Sequence, residues 1–176
     1  MATMTTSTTT TVIPKPATVA VLDTAGLGWV PLGPGQAFKP LSLPAAGPRQ
    51  LLLRVDPGTV VGLHRHHGEV HSFTLCGTRE LLDPAGHVLV GSGTYVHEPA
   101  GTVDSWRAVG DKPCVVHISI EGAMDTLDEH GRVISSTGTP ELRRIYLDWC
   151  ATNGVTPAPA LSHNFRSRPA VLRAVA

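Results

Sequence analysis

The chain has 176 residues, which is enough for one domain with an appendage but too short for two independent cores. Its 14 Lys and Arg residues balance its 14 Asp and Glu residues, and this neutrality argues against a protein that binds nucleic acid or an anionic membrane. The 18 Gly and 15 Pro residues favour many short strands, and nine His residues point to metal or proton chemistry.

The ends of the chain and its cysteines indicate where the protein works. Residues 1–18 are rich in Thr and lack both a basic start and an apolar run, so we predict a disordered tail without a targeting signal. No apolar stretch is long enough to cross a bilayer. Three scattered cysteines without a CxxC pair predict a reducing, cytoplasmic location.

Short apolar segments separated by turn residues, such as Asp56-Pro57-Gly58, fill the middle of the chain. They predict strands at residues 29–32, 38–43, 50–55, 59–66, 70–75, 79–82, 87–90, 94–98, 103–109 and 114–120. This regular succession is typical of an antiparallel β-barrel or a double-sheet roll, which we place at residues 19–136.

The composition changes after Gly122. We predict a last hairpin across residues 128–131 and then a helix that begins near Pro140, with Thr139 as its cap. The helix has one apolar face, formed by Leu142, Ile145, Tyr146 and Trp149. Residues 137–176 are therefore predicted to be this helix and an extended tail. The helix should lie on the barrel or on a partner subunit, and a barrel edge beside it predicts a homodimer or homotetramer.

Residues 62–71 (GLHRHHGEVH) concentrate the histidines. His64 and His66 are two apart on a predicted strand, so both side chains should point to the same face. In the next strand His71 has the parity of Phe73 and Leu75, whose apolar side chains favour the core face. We therefore predict three imidazoles inside the barrel, where neutral imidazole binds zinc or non-haem iron. The alternative is that each histidine is an ordinary surface or core residue.

The spacing of these residues resembles the cupin family, whose members are small antiparallel β-barrels of the double-stranded β-helix or jelly-roll type. The first cupin motif is matched by Gly58, His64, His66, His71 and Gly77, and the second by Gly93, Pro99, Gly101 and Asp104. His71 stands where the family has Glu, and Asp104 stands where it has His. The resemblance implies metal ligation by His64, His66, His71 and Asp104, or by the three histidines with Asp104 orienting one of them.

A narrower resemblance is to the 2,4'-dihydroxyacetophenone dioxygenase-like branch of the cupins. It rests on HRHHGEVHSFTLCG, GTYVHEPAG and EGAMDTLDEHGRVI, followed by the helix that ends in WCATNG. This resemblance implies an Fe(II) enzyme that uses dioxygen to cleave a carbon–carbon bond beside a carbonyl, in a small aromatic hydroxy-ketone or a β-diketone. The alternative is a non-catalytic cupin that binds Zn(II) and acts as a sensing or regulatory module.

Other residues near these motifs are candidates for catalysis or substrate binding. Glu98 could act as a general base or as the partner of an arginine at the barrel rim. His117 could donate to a substrate oxygen or be an ordinary core histidine. Trp106 shares the parity of Asp104 and, with Phe73, is predicted to line the substrate pocket. Arg79 and Glu69 could bind a substrate or each other.

Overall fold

The structure is a computed structural model that describes residues 21–83, 85–158 and 161. The tail predicted at residues 1–18 lies outside the described residues. So do residues 159, 160 and 162–176 of the predicted C-terminal tail.

Twelve strands and one helix make up the described chain. The strands are β1 (Val30–Gly33), β2 (Gln36–Ser42), β3 (Arg49–Val55), β4 (Val60–His66), β5 (Val70–Cys76), β6 (Thr78–Asp83), β7 (Gly86–Gly91), β8 (Tyr95–Glu98), β9 (Val103–Val109), β10 (Cys114–Ile120), β11 (Met124–Leu127) and β12 (Val133–Thr137). The helix α1 spans Thr139–Asn153. The prediction of an antiparallel cupin-type barrel followed by one short C-terminal helix is confirmed.

The strands form two six-stranded antiparallel sheets. The first sheet has the order β1-β2-β3-β10-β5-β8, and the second has the order β12-β11-β4-β9-β6-β7. Strands β3 and β10 bury every second residue, as expected for strands with one face toward a core. Side chains of both sheets meet in one apolar cluster, which includes Leu53 and Ile118 from the first sheet and Trp106 and Ala108 from the second.

Two strand pairings determine which side chains can meet inside the barrel. In the second sheet β4 pairs with β9, so that His64 lies opposite Asp104. In the first sheet β5 pairs with β8, so that Val70 lies opposite Glu98. Residues about forty positions apart in sequence are thereby brought to one end of the barrel interior.

The C-terminal hairpin and helix close the structure. Strands β11 and β12 are joined by a turn in which Asp128 Oδ1 accepts hydrogen bonds from the backbone of His130 and Arg132, which confirms the predicted hairpin. The helix buries Leu142, Tyr146 and Cys150 against the barrel core.

The predicted helix cap is wrong by one residue. The N-cap is Gly138, and its backbone N–H donates to Glu141 Oε2 at 2.8 Å. Thr139 is therefore the first helical residue, because Glu141 sits three positions after Gly138 and can reach back to it.

None of the helices in the described part of the chain is long and apolar enough to cross a membrane.

Candidate metal centre

Two buried histidines and one carboxylate converge at one end of the barrel interior. His64 and His66 are 5% and 3% exposed, and their ring centroids are 4.8 Å apart. Asp104 Oδ1 lies 2.9 Å from His64 Nε2 and 3.9 Å from His66 Nε2. The prediction that alternation along β4 turns both histidines to the same inward face is confirmed.

The surroundings of His64 set the state of its ring. Its Nδ1 lies 2.7 Å from the carbonyl oxygen of Gly62, so Nδ1 carries a proton and donates, and Nε2 is the atom turned toward Asp104. Burial disfavours the charged ring, but the adjacent Asp104 carboxylate, with the Gly62 carbonyl and the charge of Glu98, raises the pKa of His64 above its usual value. The carboxylates thus attract positive charge to this position.

Glu98 adds a second carboxylate to the same group. Its Oε2 lies 3.0 Å from His66 Nε2, and the residue is 9% exposed. Glu98 occupies this place because it lies opposite the inward-facing Val70 in the β5–β8 pair. The carboxylate expected from the fourth strand-borne position of the first motif is therefore supplied by the neighbouring strand.

A cavity of about 330 Å³ opens beside these residues. His64, His66 and Glu98 lie in its wall, together with Trp106 and a larger number of aliphatic side chains. The predicted inward orientation of Trp106 is confirmed by its 4% exposure and by its place in this wall. A pocket that is mainly apolar with a few converging polar groups is the usual form of a small-molecule site.

Arg79 is a buried cation in the wall of the same cavity. It is 1% exposed, its Nη2 donates to Ser72 Oγ at 2.7 Å, and its guanidinium carbon is 5.5 Å from the Trp106 ring centroid. Burial lowers the pKa of Arg79, and the negative charge of Glu98 opposes that shift. Its Nε makes no hydrogen bond to any described residue, so the group retains donor capacity inside the cavity.

The donor set fits a divalent transition metal. Single ligand atoms of His64, His66 and Asp104 all lie within 4.8 Å of one another. Asp104 Oδ1 is buried and receives no well-aligned hydrogen bond from the part of the chain that is described, although buried carboxylate oxygens normally have partners. Two imidazoles and one carboxylate form the ligand set of many non-haem Fe(II) sites, in which the remaining coordination positions are open.

The inward orientation predicted for His71 and Phe73 is wrong. Along β5 the buried side chains are Val70, Ser72 and Thr74, whereas His71, Phe73 and Leu75 are exposed. The prediction took the apolar Phe73 as a marker of the core. The interior beside β5 is filled by Arg79, whose guanidinium needs a small polar neighbour, and Ser72 supplies it.

His117 does not face the cavity either. In β10 the buried positions are Cys114, Val116, Ile118 and Ile120, and the intervening His117 lies on the outer face opposite Phe73 and Leu52. A catalytic role for His117 at the inner site is therefore ruled out by its position. The strict alternation of burial in β10 is the signal that sequence parity alone could have shown.

Sequence reasoning left the place of Arg79 open. The structure separates it from Glu69, which is exposed on the outer side of the barrel while Arg79 is buried inside. The signal available in the sequence was the parity of β6, in which Arg79 is the fully buried position of a strand with polar ends.

Comparison with solved structures confirms the architecture. An RmlC-like cupin from Ralstonia eutropha JMP134 shares 22% identity, with a TM-score of 0.74 over 84% of this chain and 95% of that one. An acetylacetone dioxygenase from Acinetobacter johnsonii shares 17% identity, with a TM-score of 0.64 over 78% of this chain and 96% of that one. At these identities the similarity concerns the fold. A search of curated proteins gave no significant match.

The sequence also matches a family description over more than half of its length. Residues 17–121 match the ChrR cupin-like domain, a segment that includes every strand from β1 to β10 and all four residues of the metal centre. Together with the two-sheet barrel and the paired motifs, this match shows that the chain belongs to the ChrR cupin-like domain family.

Proposed function

We propose that this protein is a non-haem Fe(II) dioxygenase that cleaves a carbon–carbon bond beside a carbonyl group. The observation that carries the proposal is the convergence of His64, His66 and Asp104 on a mainly apolar cavity. This ligand set leaves coordination positions open and is typical of Fe(II) oxygenases. The similarity in fold to an acetylacetone dioxygenase supports it.

The proposed substrate is a small hydroxy-ketone or β-diketone, such as a dihydroxyacetophenone. Two oxygen atoms on neighbouring or alternate carbons suit a chelating mode of binding, and the aliphatic and aromatic cavity wall suits the remainder of the molecule. For a β-diketone, R–CO–CH2–CO–R' and O2 give R–COOH and OHC–CO–R'. One carbon–carbon bond breaks, and both oxygen atoms of O2 enter the products.

Three side chains have separate tasks in this proposal. The chemistry supplied by a bound Fe(II) is the one-electron reactivity that dioxygen requires. Glu98 accepts the proton released when the diketone becomes an enolate, since its carboxylate lies in the cavity wall beside His66. Arg79 donates to the enolate oxygen and balances its charge, and Trp106 forms a wall that excludes water.

Metal analysis and oxygen uptake test the proposal directly. The protein reconstituted anaerobically with Fe(II) should consume oxygen with hydroxyacetophenones or β-diketones, one O2 for each substrate molecule cleaved. The same protein loaded with Zn(II) should consume none. Iron that binds without any oxygen uptake across both substrate classes would contradict the proposal.

Substitution of Asp104 tests its proposed role as a ligand. Asp104→Ala should lower Fe(II) affinity by more than the roughly 10- to 100-fold typical of residues that only orient a ligand. Asp104→His should retain iron but alter turnover, because an imidazole replaces a negative charge that stabilises Fe(III). Affinity is measured by competition with a chelator. Equal iron affinity in wild type and Asp104→Ala would exclude Asp104 from the ligand set.

A second candidate function is a zinc-binding module without catalysis. The close approach of Glu98 to His66, at 3.0 Å, provides a fourth side chain with which the site could close around Zn(II). Structural zinc sites are four-coordinate and filled by protein ligands, whereas catalytic sites keep a position open. Tightly bound zinc in the purified protein, with no oxygen uptake after replacement by iron, would favour this function. Glu98→Gln would then weaken zinc binding.

A further inference from the structure

A second group of metal-binding side chains lies on the outside of the barrel. His71 on β5 and His97 on β8 are directly opposite each other in the antiparallel pair. Their rings stack with centroids 4.9 Å apart and planes 12° from parallel. Their sequence neighbours Ser72 and Glu98 are buried, so the two rings project from the opposite face of the sheet to the inner centre.

Glu69 completes this group from the residue before β5. Its Oε2 lies 3.5 Å from His71 Nε2 and 3.8 Å from His97 Nε2, so both rings present the same nitrogen to one carboxylate. Zn–N and Zn–O bonds of about 2.0–2.2 Å at tetrahedral angles place ligand atoms about 3.3–3.6 Å apart. The observed separations are close to this value, and small rotations of exposed side chains would close the difference.

Tyr95 orients one of the two rings. Its hydroxyl lies 2.7 Å from His71 Nδ1, and the two rings are stacked with centroids 6.1 Å apart. A neutral imidazole that donates from Nδ1 carries its lone pair on Nε2, which is the atom that faces Glu69. Metal-binding histidines usually have such a partner on the other ring nitrogen, and the partner fixes the tautomer before the metal arrives.

We propose that Glu69, His71 and His97 form a second, surface metal site that takes Zn(II) or a similar imidazole-binding divalent metal such as Ni(II) or Cu(II). Three protein ligands leave one tetrahedral position to water or another exchangeable ligand. One carboxylate and two neutral imidazoles suit these metals better than Mg(II) or Ca(II), which prefer oxygen ligands. The site is independent of the function proposed for the inner centre.

Zinc titration of matched variants tests this site. The full-length metal-free protein and its His71→Gln and His97→Gln variants are titrated with Zn(II) by calorimetry. Each variant should bind one zinc fewer than wild type, whether or not the inner centre takes zinc. His87→Gln is the control, because His87 is also exposed on a strand and pairs with a single carboxylate, Glu80, at 3.0 Å. It should keep the wild-type stoichiometry.

Tyr95→Phe provides a second measurement that a merely structural role would not affect. It should keep the number of zinc ions but weaken the outer one about tenfold, since it removes only the orienting hydroxyl. Glu69→Gln should weaken the same zinc ion more strongly. Identical zinc stoichiometry and affinity in wild type, His71→Gln and His97→Gln would overturn the proposal and leave the cluster as an ion pair.

Discussion

His66→Ala is expected to reduce iron binding at the inner centre by more than about 100-fold, beyond the loss caused by removing a residue that only orients a ligand. The imidazole is almost fully buried, and its Nε2 lies near both carboxylates, 3.0 Å from Glu98 and 3.9 Å from Asp104. Alanine would leave no donor atom at this position. The protein is loaded anaerobically with one equivalent of Fe(II), desalted, and analysed for iron per chain.

The control for this experiment is His87→Ala. His87 Nδ1 lies 3.0 Å from Glu80 Oε1, the same separation as in the His66–Glu98 pair, but the His87 side chain is 55% exposed and that of His66 is 4% exposed. The two variants therefore remove a histidine–glutamate contact of equal length inside and outside the barrel. Equal loss of iron from both would mean that histidines act through folding or nonspecific binding. Circular dichroism checks that both variants remain folded.

Gly77→Ala is expected to lower the free energy of unfolding by about 2–5 kcal/mol, since it combines a left-handed backbone with a steric clash. Gly77 joins β5 to β6 with a φ of +73°, and an added Cβ would lie 2.5 Å from the carbonyl oxygen of Pro113 and 2.8 Å from Cys114 Cα. Both contacts are to backbone, which cannot rotate away. Strand β10 would have to move relative to the β5–β6 connection.

Gly58→Ala separates the two costs. Gly58 has a similar φ of +76°, but nothing lies within 4 Å of an added Cβ. This variant should lose only about 1–2 kcal/mol, the cost of a left-handed conformation for an L-residue. Urea unfolding of both variants, with the slope compared to wild type, measures the difference. Equal destabilisation would show that the backbone near Pro113 relaxes around the extra methyl group.

Much of the fold follows from local sequence patterns. Turn residues separate strands of alternating burial, and the hairpin at residues 128–131 and the helix at Thr139–Asn153 have clear local signals. The relation of His64 to His66 also depends only on the two-residue period of a strand. These features are local because they need no knowledge of which other strand lies alongside.

The composition of the metal centre needed the tertiary structure. Parity groups His71 with Phe73 and Leu75 but does not say which side of the strand faces the core. That choice depends on Arg79, which arrives from β6 and requires Ser72 on the inner face. Apolar side chains were consequently left outside, and His71 with them.

Glu98 shows the same limit at longer range. Its position beside His66 depends on the register of β5 with β8, in which Glu98 lies opposite Val70. The same register brings His97 to His71 on the outer face. Sequence alone determined that this chain carries paired histidines on a strand of a small barrel. Only the pairing of strands decided which carboxylates join them, because register is set by packing across the whole sheet.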